Sequence, residues 1–226
     1  MDEKLSLGNG VVIWVNEVHR FGTDALLLAG FSAPGVGDTV CDLGTGCGIL
    51  PLLWCGRRAP AHVTALDIQP DAIALLEKSI AENGLAEQIA PLLCDLRQEP
   101  GRMRGRFDLV TINPPYYPVG AGGSSPDEGR RLARQEIACT LEDCAACASR
   151  LLRAGGRFCL CHRPERLADA MAALRQMGLE PKRLRLVCPR PGAAPNLILL
   201  EGRKQCGPGL KIEPPHYLNE SKEATE

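Results

Sequence analysis

Asp42-Leu43-Gly44-Thr45-Gly46-Cys47-Gly48 is the stretch that most restricts what this chain can become. It continues Thr39-Val40-Cys41, a short apolar run that suits a buried strand, and it leads into Ile49 to Trp54, which reads as a helix. Glycines at alternate positions let the backbone turn sharply and approach a ligand closely, and the helix start behind them turns unpaired N–H groups toward it. The next strand, His62 to Leu66, ends at Asp67, 23 residues after Gly44. An acid there is placed to accept both ribose hydroxyls of an adenosine. Dinucleotide enzymes share part of this pattern, so alone it defines a strand, loop and helix and leaves the reaction open.

The rest of the chain repeats that alternation. Val11 to Val15 reads as a strand after Gly8-Asn9-Gly10, and Thr23 or Asp24 is expected to cap a helix from Ala25 to Phe31 that Pro34-Gly35-Val36-Gly37 ends. Pro70 to Asn83 is an amphipathic helix with proline in its first turn and Asn83-Gly84 as its stop. Ile89 to Cys94 and Arg106 to Ile112 are strands, Glu128 to Leu152 a long helix, Gly156 to Cys161 a strand and Pro164 to Met177 a helix. Lys182 to Val187 and Asn196 to Glu201 close the series. Strands separated by helices predict an α/β fold, a doubly wound, mainly parallel, seven-stranded Rossmann-like sheet with its site at the strand C-termini. The expected division is an N-terminal strand and helix covering the cofactor site (1–37), a catalytic domain (38–204) and a polar tail (205–226). Two segments are expected to be mobile: Pro118 to Asp127, rich in Gly, Ser and Pro, and the tail, where Pro214-Pro215 argues against helix.

Phe107 to Ile112 delivers Asn113-Pro114-Pro115-Tyr116-Tyr117 to a strand end. Two prolines remove two backbone donors and hold Asn113 extended, so the local surface mostly accepts hydrogen bonds. An exocyclic amine or a primary amide carries two N–H donors. The Asn113 side-chain oxygen and the Pro114 carbonyl match them, with Tyr116 as a flat face for stacking.

With 226 residues the chain can bury a substantial core. No apolar run reaches the roughly 18 residues of a membrane span, and Asp2-Glu3 does not open a signal peptide, so a cytoplasmic protein is expected. Eleven cysteines, scattered and mostly among apolar neighbours, are expected to be free buried thiols. Cys144-Ala-Ala-Cys147 lacks the second well-spaced pair of a zinc ribbon, and no metal is expected. The net charge of −1 is unevenly spread: Arg150 to Lys204 holds twelve Lys and Arg against four Asp and Glu, leaving +8 there and −9 elsewhere. That sign suits a polyanion beside the site.

Asp42 to Gly48 resembles the cofactor loop of the class I S-adenosylmethionine-dependent methyltransferases, and Asn113-Pro-Pro-Tyr116 resembles the site of their amino-methylating branch. More narrowly, the chain is similar to the bacterial family that methylates N6 of adenine 37 in a valine tRNA. Phe21-Gly-Thr-Asp24-Ala-Leu-Leu-Leu-Ala29, Ala133-Arg-Gln-Glu136, Arg163-Pro-Glu-Arg-Leu167, Pro195-Asn-Leu197, Glu201-Gly-Arg-Lys204 and Gly209-Leu210 carry that similarity. The resemblance implies S-adenosyl-L-methionine as cofactor and tRNA as partner. It assigns Asp42, Gly44, Thr45, Gly46 and Gly48 to the cofactor loop, Asp67 to the ribose and Asp95 to the adenine amine, with Thr23, Asp24, Ile68, Leu96 and Asn113 also on the cofactor. Asn113, Pro114 and Tyr116 are the expected catalytic residues, and Pro115, Tyr116, Tyr117, Arg134, Arg163 and Arg166 are expected to bind substrate. Asp42 has a plainer reading as a loop-amide acceptor, Asp95 as the cap of the turn after its strand, and Thr23-Asp24 as a helix cap.

An adenine amine is a poor nucleophile because its lone pair is delocalised into the ring. As it attacks a sulfonium methyl its protons become more positive, so acceptors at Asn113 and Pro114 bind the transition state more tightly than the ground state. The alternative is N5-methylation of a glutamine side chain in a protein such as a release factor, since a primary amide fits the same acceptors. Enzymes of that kind usually carry a helical domain ahead of the glycine loop, where this sequence has about forty residues.

Overall fold

The computed structural model describes residues 1–8, 10–56, 60–99, 101–114 and 139–219. In chain order these form β1 (Glu3–Gly8), β2 (Val11–Val15), α1 (Thr23–Ser32), β3 (Thr39–Leu43), α2 (Ile49–Cys55), β4 (His62–Asp67), α3 (Pro70–Asn83), β5 (Ile89–Leu93) and β6 (Phe107–Ile112). After these come α4 (Leu141–Leu151), β7 (Leu152–His162), α5 (Leu167–Gln176), β8 (Leu179–Cys188), β9 (Leu197–Lys204), β10 (Lys211–Ile212) and β11 (His216–Tyr217).

The seven longer strands of the main sheet run in the order β5-β4-β3-β6-β7-β9-β8. All are parallel except β9, which is antiparallel to both neighbours. Its direction follows from the link before it: only eight residues join Cys188 to Leu197, too few for the crossover a parallel pair needs. From β3 the chain steps outward to β4 and β5, then returns to lay β6 on the other side of β3. Between β3 and β6 lies the topological switch point, where open α/β sheets bind ligands.

Alternate residues of each central strand feed two cores. Val40, Val63, Leu109, Cys159 and Cys161 pack toward α1, α2 and the hairpin β1–β2, while Cys41, Leu43, Val110, Phe158 and Leu160 face α4 and α5. Burial on both faces explains why these strands read as continuous apolar runs. All eleven cysteines are free, and seven of the eight buried ones lie in these two cores. Among the described residues no helix is long and apolar enough to cross a membrane, and no cluster of three metal-ligating side chains occurs.

Several boundaries differ from expectation. β1 pairs antiparallel with β2, and the hairpin docks on α3 because Asn83 Oδ1 and Ser79 Oγ accept the Val12 and Trp14 N–H groups at 2.9 Å. Neither Thr23 nor Asp24 caps α1; Gly22 holds the cap position, and both side chains sit in the first turn. The helix expected from Glu128 starts at Leu141, where Thr140 and Asp143 close a reciprocal capping box, and 128–138 lie outside the described residues. So does the whole Pro118 to Asp127 stretch. The tail is ordered through Asn219: β10 and β11 both run parallel along the outer edge of β8. Glu213 locks them there by pairing with Arg185 at 2.5 Å.

Candidate active site

At the end of β3 the chain enters Gly44, Gly46 and Gly48, each with positive φ. Gly48 is the most constrained, since a Cβ there would lie 2.3 Å from Leu76 Cδ1 on α3. Asp42, 2% exposed, does not serve loop amides. It accepts hydrogen bonds from the Thr45 hydroxyl at 2.8 Å and the Thr111 hydroxyl at 2.6 Å, tying the loop to β6. Burial pushes its carboxyl up to about 7, against the pull of these two hydroxyls.

A carboxyl protonated in the fold and ionised in the unfolded chain gives stability that falls as pH rises between the two pKa values. Urea unfolding of the cofactor-free protein should therefore show about 2–3 kcal/mol lost from this residue between pH 5 and pH 8. Asp42→Asn, which keeps an acceptor and a donor between the two threonines, should flatten that part of the profile. An identical slope in the variant would place the titration elsewhere.

Asp67 closes β4 at 5% exposure. Its Oδ2 accepts the Gly46 N–H at 2.8 Å and its Oδ1 the Gln69 N–H at 2.9 Å. Each oxygen keeps a further lone pair, so the residue can hold the glycine loop and still accept from a ligand. Ile68 beside it is 46% exposed, an apolar face next to the acid. Asp95 caps the 3₁₀ turn Leu96–Gln98 by accepting the Arg97 N–H, and the Arg97 guanidinium grips it at 2.6–3.1 Å. That guanidinium holds the Asp95 carboxyl below its ordinary range. The plainer reading of Asp95 as a cap thus describes its contacts in the protein, and Arg97 went unnoticed in the sequence. Leu96 packs partly into the core under α4.

Asn113 leaves β6 between two side chains. Its Nδ2 donates to Asp24 Oδ2 of α1 at 3.0 Å, and its Oδ1 accepts the thiol of Cys161 at 2.9 Å. Register brings Cys161 there: Ile112 pairs with Leu160, so the next residue on each strand falls side by side. Nothing in the residue pattern singles out Cys161, which reads as one more buried small hydrophobe. Asp24, expected on the cofactor, here accepts from the Asn113 amide. His162 follows, neutral because burial pushes it down to about 4, with Nδ1 accepting the Arg163 N–H. Pro114 is buried behind Asn113, while Pro115, Tyr116, Tyr117 and Arg134 lie outside the described residues.

The basic region is not the open cationic face its composition suggests. Arg150 pairs with Glu99, Arg153 with Asp108, Arg166 with Asp169, Arg175 with Glu180 and Arg185 with Glu213. Glu201, fully buried, draws in Arg157, Arg183 and Arg203. Eight of the twelve cations of the segment are thus engaged, three by acids from outside it (Glu99, Asp108 and Glu213) and five by its own Asp169, Glu180 and Glu201. Arg166, expected on substrate, is among the engaged ones at 2.7 Å from Asp169. Arg163 does reach the site side, lining a cavity with Thr23 and Asp24.

A glycine loop, an acid closing the next strand, and an acceptor-rich asparagine across the switch point form one cleft edge. The methyltransferase small domain family matches residues 16–125. Relatives named tRNA1(Val) (adenine(37)-N6)-methyltransferase include one from Flavobacteriaceae bacterium (strain 3519-10), 28% identical, covering 64% of this chain and 59% of its own. One from Parabacteroides distasonis is 29% identical over 80% of this chain and 76% of its own, and one from Escherichia coli O157:H7 is 28% identical over 83% and 76%. Among solved structures, a predicted O-methyltransferase from Agrobacterium tumefaciens superposes with a TM-score of 0.68 at 23% identity, covering 88% of this chain and 89% of that one. Geranyl diphosphate C-methyltransferase from Streptomyces coelicolor, solved with S-adenosyl-L-homocysteine, gives 0.61 at 14% identity, covering 80% and 77%. The fold and these similarities define a class I methyltransferase that uses S-adenosyl-L-methionine. Within that class its similarity is to the methyltransferases that carry the small domain.

Proposed function

We propose that this enzyme methylates N6 of an adenine in tRNA, with position 37 of a valine tRNA as the target. The observation that carries the reading is the fixed amide of Asn113. Asp24 can only accept, so it holds the Nδ2 end and leaves Oδ1 as the acceptor for an incoming amine. A flipped amide would set acceptor against acceptor at Asp24. Cys161 donates weakly to Oδ1, an oxygen with two acceptor lone pairs.

The bound cofactor supplies an electrophilic methyl group. Asn113 Oδ1 and the Pro114 carbonyl accept the two amine protons, and their hold tightens as the nitrogen becomes positive. No general base is needed, because the proton can leave after transfer. Gly44, Thr45, Gly46 and Gly48 shape the cradle, Asp67 accepts from the ribose, Ile68 and Leu96 border the adenine and Asp95 accepts from its amine in exchange for a contact to Arg97. Residues 1–37 cover the cofactor site in this reading, since α1 carries Asp24. Tyr116 and Tyr117 replace the stacking that the target base loses when it leaves the folded RNA, and Pro115 and Arg134 complete the substrate side.

N5-methylation of glutamine would use the same acceptors. The relatives' names favour RNA, whereas the paired arginines no longer contribute to that choice. Incubation with labelled cofactor and tRNA from cells lacking the gene, then digestion and nucleoside mass spectrometry, should yield N6-methyladenosine from valine tRNA. Label in a glutamine of a release factor, and none in tRNA, would replace this reading.

A further inference from the structure

A cavity of about 260 Å³ opens on the side of Asn113 away from the glycine loop. Its walls come from α1 (Thr23, Asp24, Leu27), the residue after β7 (Arg163), the end of β8 (Val187), the entry to β9 (Asn196, Leu197) and the tail (Leu218). β7, β9 and β8 lie successively one, two and three strands beyond β6. Asp24 on its wall touches Asn113, and at about 4.8 Å per strand the far wall lies roughly 15 Å away. A base held at Asn113 therefore leaves it open to the next group along the same chain.

The lining selects the chemistry of that group. Leu27, Val187, Leu197 and Leu218 are apolar, and between them stand one acid and one guanidinium. Asp24 repels a phosphate and Arg163 repels a free cation. A flat neutral group with donors and acceptors on its edge meets all three kinds of wall. The volume is below the roughly 300–1,000 Å³ of sites that enclose a whole drug-sized ligand, which suits one ring system of a larger substrate. Asp24 also ties the cavity to the reaction, because the same carboxylate orients Asn113.

We propose that this cavity binds the base of a nucleotide flanking the methylated adenine, so that the enzyme reads sequence context next to its target. This rests on the RNA reading above. The tail is then part of the recognition surface: the Leu218 N–H donates to Cys188 O and the Asn219 N–H to Pro189 O, both at 3.0 Å, fixing Leu218 at the cavity wall. Contacts to flanking nucleotides are a recurring source of context preference in enzymes that act on an extruded base.

The test uses an anticodon stem-loop substrate and two versions in which the nucleotide on one or the other side of the target is abasic. One abasic substrate should lose about tenfold or more in kcat/KM, as expected for one stacked base. Leu218→Trp, which fills the cavity from an exposed position, should lower kcat/KM on the intact substrate by a similar factor and erase its advantage over that abasic one. Asn196→Ala should reduce the same ratio, providing a second reading should the tryptophan variant fail to bind cofactor. Both abasic substrates within threefold of the intact one, or an unchanged preference in both variants, would overturn the proposal. Absence of methylation on every RNA would instead remove the RNA reading itself, and this inference with it.

Discussion

Asn113→Ala should lower turnover by about 100-fold or more while cofactor affinity stays within a few fold, the pattern of a group whose hydrogen bond matters only in the transition state. The structure sharpens this expectation. On the proposed function, Oδ1 would face a substrate amine because Asp24 holds the Nδ2 end at 3.0 Å. Asp24→Ala should then reproduce part of the loss, as the amide becomes free to rotate and presents donor N–H groups for part of the time. Asp24→Asn, which can still accept from Nδ2, should fall between Asp24→Ala and the parent. Single-turnover methyl transfer with saturating cofactor, beside calorimetric cofactor titration, separates the two effects. Collapse of cofactor binding in Asn113→Ala would make the residue a structural support of the loop, and full activity in Asp24→Ala would make its contact to Asn113 incidental.

How far these roles could be read from the residues depends on the range of the interaction. Glycines 44, 46 and 48, the strand before them and Asp67 are local signals, because backbone conformation and strand ends are set within a few residues. Helix α3 was legible to its last residue for the same reason: proline starts it and Gly84 stops it with φ 64. The start of α4 was equally local and was overlooked, since Thr140 and Asp143 spell a capping box in the sequence. The tail was not local. Nothing within Lys211 to Tyr217 forecasts a partner; its order depends on the unpaired edge of β8 and on Arg183 and Arg185, which lie far back in the chain. Cys161 is similar, since only the pairing of β6 with β7 sets its thiol against Asn113. Net charge carried a sign and named no partners, because counting residues ignores pairing. Glu201 alone, contributed by β9, engages three arginines from three strands.

Asp67→Ala is the other change with a large expected effect, and it should act twice. The carboxylate accepts the Gly46 and Gln69 N–H groups, so alanine leaves both donors without their acceptor; with Gly46 half-buried and Gln69 exposed, water meets part of the loss and the cost is about 1 kcal/mol each. The loop would loosen before any ligand is considered. On top of that, loss of charge-assisted bonds to the ribose removes roughly 1.5–3 kcal/mol each, and one such bond lost beside a disordered cradle already amounts to a fall in cofactor affinity of about 100-fold or more. Asp67→Asn separates the two roles. Its single acceptor can serve one loop amide while its NH₂ clashes with the other, so stability should drop less than with alanine, yet the ribose loses its anionic partner. Calorimetric cofactor titration together with urea unfolding of both variants gives the answer. Weak cofactor binding with parental stability would mean that Asp67 acts on the ligand alone, whereas lowered stability with unchanged affinity would confine it to the loop and place the ribose elsewhere.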